Sequence, residues 1–354
     1  MRNIIVHIGM EKTGTTTIQR FCAANRDILV GLGVAYPVSV GSDNHRLLAT
    51  FAMTPPRTDE SHVELGLIDP KTREAFNSKL EQDLAIEITA LPDSVHTIVF
   101  SNEHCHSRLL EIEDVIRLKK LIDSYGDNIK ILVYLRRQDE VATSLYSTGL
   151  RAGLTRYPIF PTSQEEPNMF RHFFNYDTFV SLWEEVFGPD SVEVRIFDRD
   201  AFPGGSVLND FLAVCSLPPS TDQGFRQVPN QNESIQPVAQ EFLRRMNERI
   251  PWLLGDTVNS TRWKLPHLIA DAFPGPGRLP LRGAARDFMD QFSSSNEALR
   301  ARRFPERASL FHEGFERYPE QPVDLNLSFG SAIDVSVKLW EAVVREVEAL
   351  KRAR

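Results

Sequence analysis

Cysteine is scarce in this chain: Cys22, Cys105 and Cys215 are the only three in 354 residues, odd in number and far apart. Neither a disulfide framework nor a zinc cluster is suggested by that pattern. No apolar run approaches the length that spans a bilayer. Cationic excess is missing too, since 40 Lys and Arg stand against 48 Asp and Glu, for a net charge of -8 and a pI near 5.7. This balance argues against a broad footprint on nucleic acid or an anionic membrane, so any anion site must be local. There are no internal repeats and no low-complexity tracts. The first strand begins at residue 2, which leaves no room for a signal peptide and sets a reducing, cytoplasmic location as the expectation. What remains, 42% hydrophobic and 25% charged, suffices for a full core, as one large domain or one domain with a substantial insertion.

The most informative stretch is near the start. Ile4, Ile5, Val6, His7 and Ile8 form a short β-branched run that reaches Gly9; Lys12, Thr13, Gly14, Thr15, Thr16 and Thr17 follow; apolar residues then recur at Ile18, Phe21, Cys22 and Leu29 with helical spacing. That order reads as strand, phosphate loop, helix. Gly9 and Gly14 allow the backbone to curl so that N–H groups point inward, and the helix starting near Thr15 aims its positive dipole end at the same spot. A phosphate or sulfate group suits such a place. The Gly9 to Gly14 separation matches a nucleotide triphosphatase loop, but there a lysine follows the second glycine. Here Thr15 follows it and the lysine lies earlier, at Lys12.

Further along, strands alternate with helices. Residues 31–37 read as a short strand or extended exit, 44–53 as a brief helix, 54–69 as an exposed loop and 70–91 as a long helix. Strands at 95–101, 129–135 and 192–197 are separated by helices at 111–125, 138–150 and 176–187, which implies a parallel sheet with helices on both faces and ligands at the carboxyl ends of the strands. Thr97 to Ser101 leads into Asn102, Glu103, His104, Cys105 and His106, where a triphosphatase would carry a magnesium-binding aspartate. Val133 to Leu135 leads into Arg136 and Arg137, with Ser144 in the next helix; a guanidinium and a hydroxyl in that order can converge on one phosphate.

The run His7 to Gln19 resembles the H-I-G-x-x-K-T-G-T-T-x-x-Q loop of sulfotransferases that use 3′-phosphoadenosine 5′-phosphosulfate (PAPS), of the bacterial and carbohydrate-acting type. The resemblance implies a P-loop-like three-layer α/β fold with a central parallel sheet of about four to five strands. It implies that Lys12, Thr13, Gly14, Thr15, Thr16 and Thr17 bind the 5′-phosphosulfate and that Arg136 and Ser144 bind the 3′-phosphate. Lys12 and Glu103 are then the catalytic pair, with His104 and His106 competing for the role of base, since imidazole needs little perturbation to act near neutral pH. The co-substrate is PAPS, the product nucleotide adenosine 3′,5′-bisphosphate, and no metal is required. The partner is an acceptor hydroxyl on a glycan, glycolipid or small metabolite, with no nucleic acid and no membrane span. A third nucleotide segment is not recognisable; Arg282 with Gly283 is a faint echo of it.

Signals fade beyond residue 150. Residues 151–175 are expected to loop over the sheet's ligand edge as a candidate for acceptor contact. Arg137 is expected at the surface or near an anion, with Asp139 or Glu140 as partners. Residues 204–212 read as a helix, and 237–249 as another, capped by Asn232 or Ser234. The proline- and glycine-rich stretch 251–283, with Trp252, Trp263, Arg262, Lys264 and His267, reads as a packed flap or a substrate lid. Residues 284–304 and 331–352 read as helices, the latter with Val335, Leu339, Val343, Val347 and Leu350 on a face that closes the domain or meets a partner, so self-association is left open. The expected organisation is a single domain: a core over 1–250, an insert over 251–283 and a helical extension over 284–354. Two other readings stand beside the sulfotransferase: an ATP- and magnesium-dependent kinase of a small molecule or sugar, and a binding protein that kept the fold without turnover.

Overall fold

The structure, a computed structural model, describes residues 2–222, 224–228, 234–254, 257–262, 264–323 and 328–352. Contacts divide it into two compact units. The first comprises Met1–Arg136, Pro167–Asn230 and Ser294–Phe311; the second comprises Arg137–Glu166, Gln231–Ser293 and His312–Arg354.

The first unit is built on five strands, β1 (Asn3–His7), β2 (Val34–Ala35), β3 (Thr97–Ser101), β4 (Asn128–Leu135) and β5 (Val192–Ile196). They lie in the order β2-β3-β1-β4-β5, all parallel. Their near-continuous apolar runs reflect burial on both faces. Ile5, Val99, Leu132 and Tyr134 point to one face and pack with Ile18 and Phe21 of helix Thr15–Ala24 and with Leu208 and Phe211 of helix Val207–Val214. Their neighbours Ile4, Val6, Ile98, Phe100, Ile131 and Val133 point the other way and are equally buried. Helix Tyr176–Phe187 packs on β4, β5 and helix Ile112–Ile122 through a stripe that includes Phe179, Val180 and Trp183. The result is a three-layer, P-loop-like α/β fold with a five-stranded parallel sheet.

Several local expectations are corrected. Residues 54–69 are not simply an exposed loop: Asp59 caps a short helix, Glu60–Glu64, through a reciprocal bond with His62, which is buried. The helix expected over 284–304 is two, Arg282–Asp290 and Ser293–Arg303. The second belongs to the first unit, where Arg302 pairs with Asp177 at 2.8 Å and also with Glu184.

The second unit is helical. Tyr146 and Leu150 of helix Gln138–Arg151, Ala239 and Leu243 of helix Pro237–Arg249, Ile269 of helix Leu265–Ala272 and Val335 of helix Phe329–Arg352 share one core. The N-cap of Pro237–Arg249 is Gln236, without a side-chain bond, so Ser234 is not the cap; proline at the first helical position supplies the start instead. Asn232 lies outside the described residues. Part of the stretch 251–283 is packed interior, as Arg262 is buried and donates to the carbonyls of Arg151 (2.9 Å) and Ile250 (3.2 Å). Trp252 lies over that guanidinium, and Trp263 is outside the described residues. Residues 276–282 line, with Tyr157, Phe160 and Phe288, a cavity of about 1130 Å³.

Candidate active site

Because β1 is central, with β3 on one side and β4 on the other, the three loops singled out by sequence leave neighbouring strands at the same carboxyl edge. This is the switch point at which open parallel sheets bind ligands. Hydrogen bonding carries the ladder into the loops. Ile8 N donates to Leu132 O at 2.9 Å, Tyr134 N to Gly9 O at 3.0 Å and Asn102 N to His7 O at 2.9 Å.

The first loop turns on left-handed residues. Gly9 has φ +96° and Gly14 has φ +82°, and Lys12, not a glycine, has φ 67°, a conformation that costs an L residue about 1–2 kcal/mol. Two bonds hold it. Thr13 Oγ1 donates to Met10 O at 2.6 Å, and Arg136 donates from a terminal guanidinium nitrogen to Lys12 O at 2.9 Å. Gly14 is the N-cap of helix Thr15–Ala24 and supplies no capping side chain. The N–H groups of Thr15 and Thr16 have no carbonyl within the helix and face the loop with the dipole's positive end, while Thr17 N donates to Gly14 O at 3.0 Å. Thr13 is fully buried with its hydroxyl committed to Met10, whereas Thr16 is exposed.

Glu103 abuts this loop. A Cβ on Gly9 would stand 2.8 Å from Glu103 Cα and 2.9 Å from its Cβ, so only glycine fits there. Both carboxylate oxygens accept amide hydrogens, one from Gln19 Nε2 at 2.5 Å and one from Asn44 Nδ2 at 3.1 Å. Asn102 in turn donates to Asn44 Oδ1. Sequence reasoning placed Gln19 in the motif without a role and overlooked Asn44; a signal was present only in Gln19, one amide ending a loop of threonines.

The strand behind Glu103 is gripped by two more residues that sequence reasoning gave no role. His7 Nδ1 bonds Ser101 Oγ at 2.8 Å, and Ser101 N donates to His45 Nδ1 at 3.1 Å. His45 stacks on Tyr36, with ring centroids 4.0 Å apart. Burial lowers the pKa of both histidines to about 3, so both are neutral. His106, one of the two competitors for the base, is also buried, with its ring edge-on to Phe173 and Phe179 at 4.5 and 4.4 Å, and burial lowers its pKa to about 3 as well. Its place is in the core. His104 is half-buried beside Glu103 in the chain.

Arg136 ends β4. Its guanidinium lies over Phe197, 5.4 Å from the ring centre, and its carbonyl accepts from Tyr176 Oη at 2.6 Å. Arg137 is not a surface residue: it is buried in the second unit, bonded to both oxygens of Asp139 at 3.1 and 2.8 Å, and its pKa is raised by that carboxylate against the cost of burial. Ser144 is half-buried on helix Gln138–Arg151. Arg282, the faint third segment, pairs with Glu320 at 2.6 Å. Among the described residues no group of three or more His, Cys, Asp or Glu side chains stands together as a metal site, and no helix is long and apolar enough to cross a membrane. The first unit thus offers a curled, glycine-hinged loop with a lysine and helix-start amides, and beside it a carboxylate fixed by two amides. Such a site can cradle a tetrahedral oxyanion group and take a proton next to it.

No protein-family model matches the chain. A curated protein of Archaeoglobus fulgidus, described as an uncharacterized protein, is 25% identical over 194 residues, which cover 54% of this chain and 49% of that protein. The match spans about half the length of that relative. Among solved structures the chain is similar to a sulfotransferase from Alicyclobacillus acidocaldarius, with 18% identity over 65% of this chain and 87% of that one and a TM-score of 0.39. The functional reading rests on the residues of the site.

Proposed function

We propose that this protein is a PAPS-dependent sulfotransferase that acts on an acceptor hydroxyl, on a glycan, glycolipid or small metabolite. The observation that carries the reading is the juxtaposition at Gly9, where the loop bearing Lys12 meets the Cα and Cβ of Glu103 with no room for a methyl group. An anion cradle supplies the place for a transferring group, and a carboxylate held on both oxygens supplies an acceptor for the proton released in the transfer.

In this scheme Glu103 takes the hydroxyl proton while the acceptor oxygen forms its bond to sulfur. The bond from sulfur to the 5′-phosphate oxygen breaks, and its electron pair leaves with adenosine 3′,5′-bisphosphate. Lys12 and the amides of Thr15 and Thr16 balance the charge that develops on the sulfuryl oxygens and the leaving oxygen. Gln19 and Asn44 hold the carboxylate, each by one oxygen. Arg136 holds the 3′-phosphate, the feature that separates PAPS from ATP.

The test is calorimetric titration with adenosine 3′,5′-bisphosphate without metal, set against ATP with magnesium. Micromolar or tighter binding of the bisphosphate, with ATP much weaker, is the expected result. Tighter binding of ATP with magnesium would replace this reading by that of a kinase.

A further inference from the structure

Helix Phe329–Arg352 carries apolar residues on two opposite sides. Val335 and Ala342, seven apart, are buried within the second unit, and Leu339 packs beside them. Lys264 pairs with Glu346 along the same side. This side anchors the helix. The other side carries Ile333, Val337, Trp340, Val344 and Val347, spaced four, three, four and three residues apart, and every one is exposed. Trp340 is 68% exposed and the other four lie between 39% and 51%. Alternating steps of three and four are the a and d positions of a coiled-coil seam, whereas a helix that merely rests on its own domain needs only the stripe already buried. With Val337 and Val344 at a, and Ile333, Trp340 and Val347 at d, the anchoring residues Val335 and Ala342 fall at f, the position directly opposite the seam.

We infer that this seam is an interface with a second copy of the same chain, the two C-terminal helices pairing in parallel about a twofold axis. The pattern is self-complementary, as an isologous contact requires. With Phe329 and Leu350 at its ends, the exposed side chains offer on the order of 700 Å² per copy, close to the share of one partner in a stable interface. Charge selects the direction. The e positions are Asp334, Glu341 and Glu348, all acidic. An antiparallel pair would set these carboxylates against each other, while a parallel pair sets them against g positions occupied by Phe329, Ser336, Val343 and Leu350. Each acid also has a cation four residues on, Lys338, Arg345 and Arg352, and Glu348 stands 3.8 Å from Arg352. Among the described residues the last of these pairs alone stands within 4 Å, and Lys338 lies over the Phe273 ring instead, so the acidic flank keeps most of its charge. This inference is independent of the proposed activity.

Sedimentation equilibrium of the full chain from 1 to 100 µM tests it, with Trp340→Glu as the variant and thermal melting by circular dichroism as the check on folding. The expected result is a dimer for the unaltered chain and, for the variant, dimerisation weaker by about 30-fold or more, as for loss of a central aromatic anchor. At so exposed a position the substitution leaves the circular dichroism spectrum and the cooperativity of melting in place, the midpoint falling only by the stabilisation that dimerisation supplies. Orientation is read with Val344→Cys, which sits beside the axis and crosslinks to its own counterpart under mild oxidation in a parallel pair but not in an antiparallel one. A monomer at 100 µM, a dimer indifferent to Trp340→Glu, or a monomer that floats with phosphatidylglycerol vesicles through this helix overturns the inference.

Discussion

Gly9→Ala is the sharpest probe of how the site is assembled. Two costs add at that position. A side chain at φ +96° is strained by about 1–3 kcal/mol. The new methyl would also overlap Glu103 Cα at 2.8 Å, and because that atom is backbone it cannot rotate aside; forced over-packing of this kind costs about 1–3 kcal/mol. Together these amount to roughly 2–6 kcal/mol, a large part of an ordinary folding free energy. At about 2–4 °C per kcal/mol the melting midpoint should fall by roughly 5–20 °C. Relief comes only by moving the Glu103 loop, and a displacement near 1 Å is enough to lower turnover by about 100-fold. The assay pairs thermal melting with bisphosphate titration, and adds turnover on any acceptor found. Gly31→Ala is the control, since a methyl there meets nothing within 4 Å. A Gly9→Ala protein that melts within a degree of the parent and binds the nucleotide equally well would refute the close approach.

Three further outcomes are expected. Glu103→Gln should lower turnover by about 100- to 10,000-fold while bisphosphate affinity stays within about threefold, the signature of a lost general base; retention of half the activity removes Glu103 from that role. Lys12→Ala should act mainly on turnover, whereas Arg136→Ala should act mainly on nucleotide affinity, which titration and initial rates separate; parental values in either variant exclude that residue. Stability should fall as the pH drops below about 6.5, because His7, His45 and His106 have folded pKa values near 3 and take up protons only on unfolding. The unfolded chain then binds more protons, so each histidine removes about 2 kcal/mol by pH 5. Urea melts at pH 7.5, 6.5 and 5.0 check this, and equal midpoints would contradict it.

The parallel sheet was legible because β-branched runs such as Ile4 to Ile8 and Ile129 to Leu135 are short, apolar and separated by amphipathic helices. Helices Tyr176–Phe187 and Pro237–Arg249 coincide with the ranges read from periodicity. The anion loop was legible from its glycines, lysine and threonines. Less legible was whatever depends on long-range partners. Asn44 reaches Glu103 across 59 positions, and nothing in its own neighbourhood announces that. Arg137 and Arg136 are adjacent and alike in sequence, yet Asp139 draws the first into a buried ion pair. Likewise, the last helix advertised an apolar face, but only burial shows that it has two and that Val347 and Leu350 lie on the exposed side.

Ser101 is held between His7 and His45. A strand end beside an anion site is commonly fixed by carboxylates or cations, each of which adds its own field. Here the fasteners are two imidazoles that stay uncharged down to about pH 3. These two fasteners are therefore electrically silent, and the potential felt by a bound anion comes from Lys12, Arg136, the loop amides and Glu103. Neither imidazole changes charge between pH 6.5 and 8, so neither enters a pH–rate profile over that range.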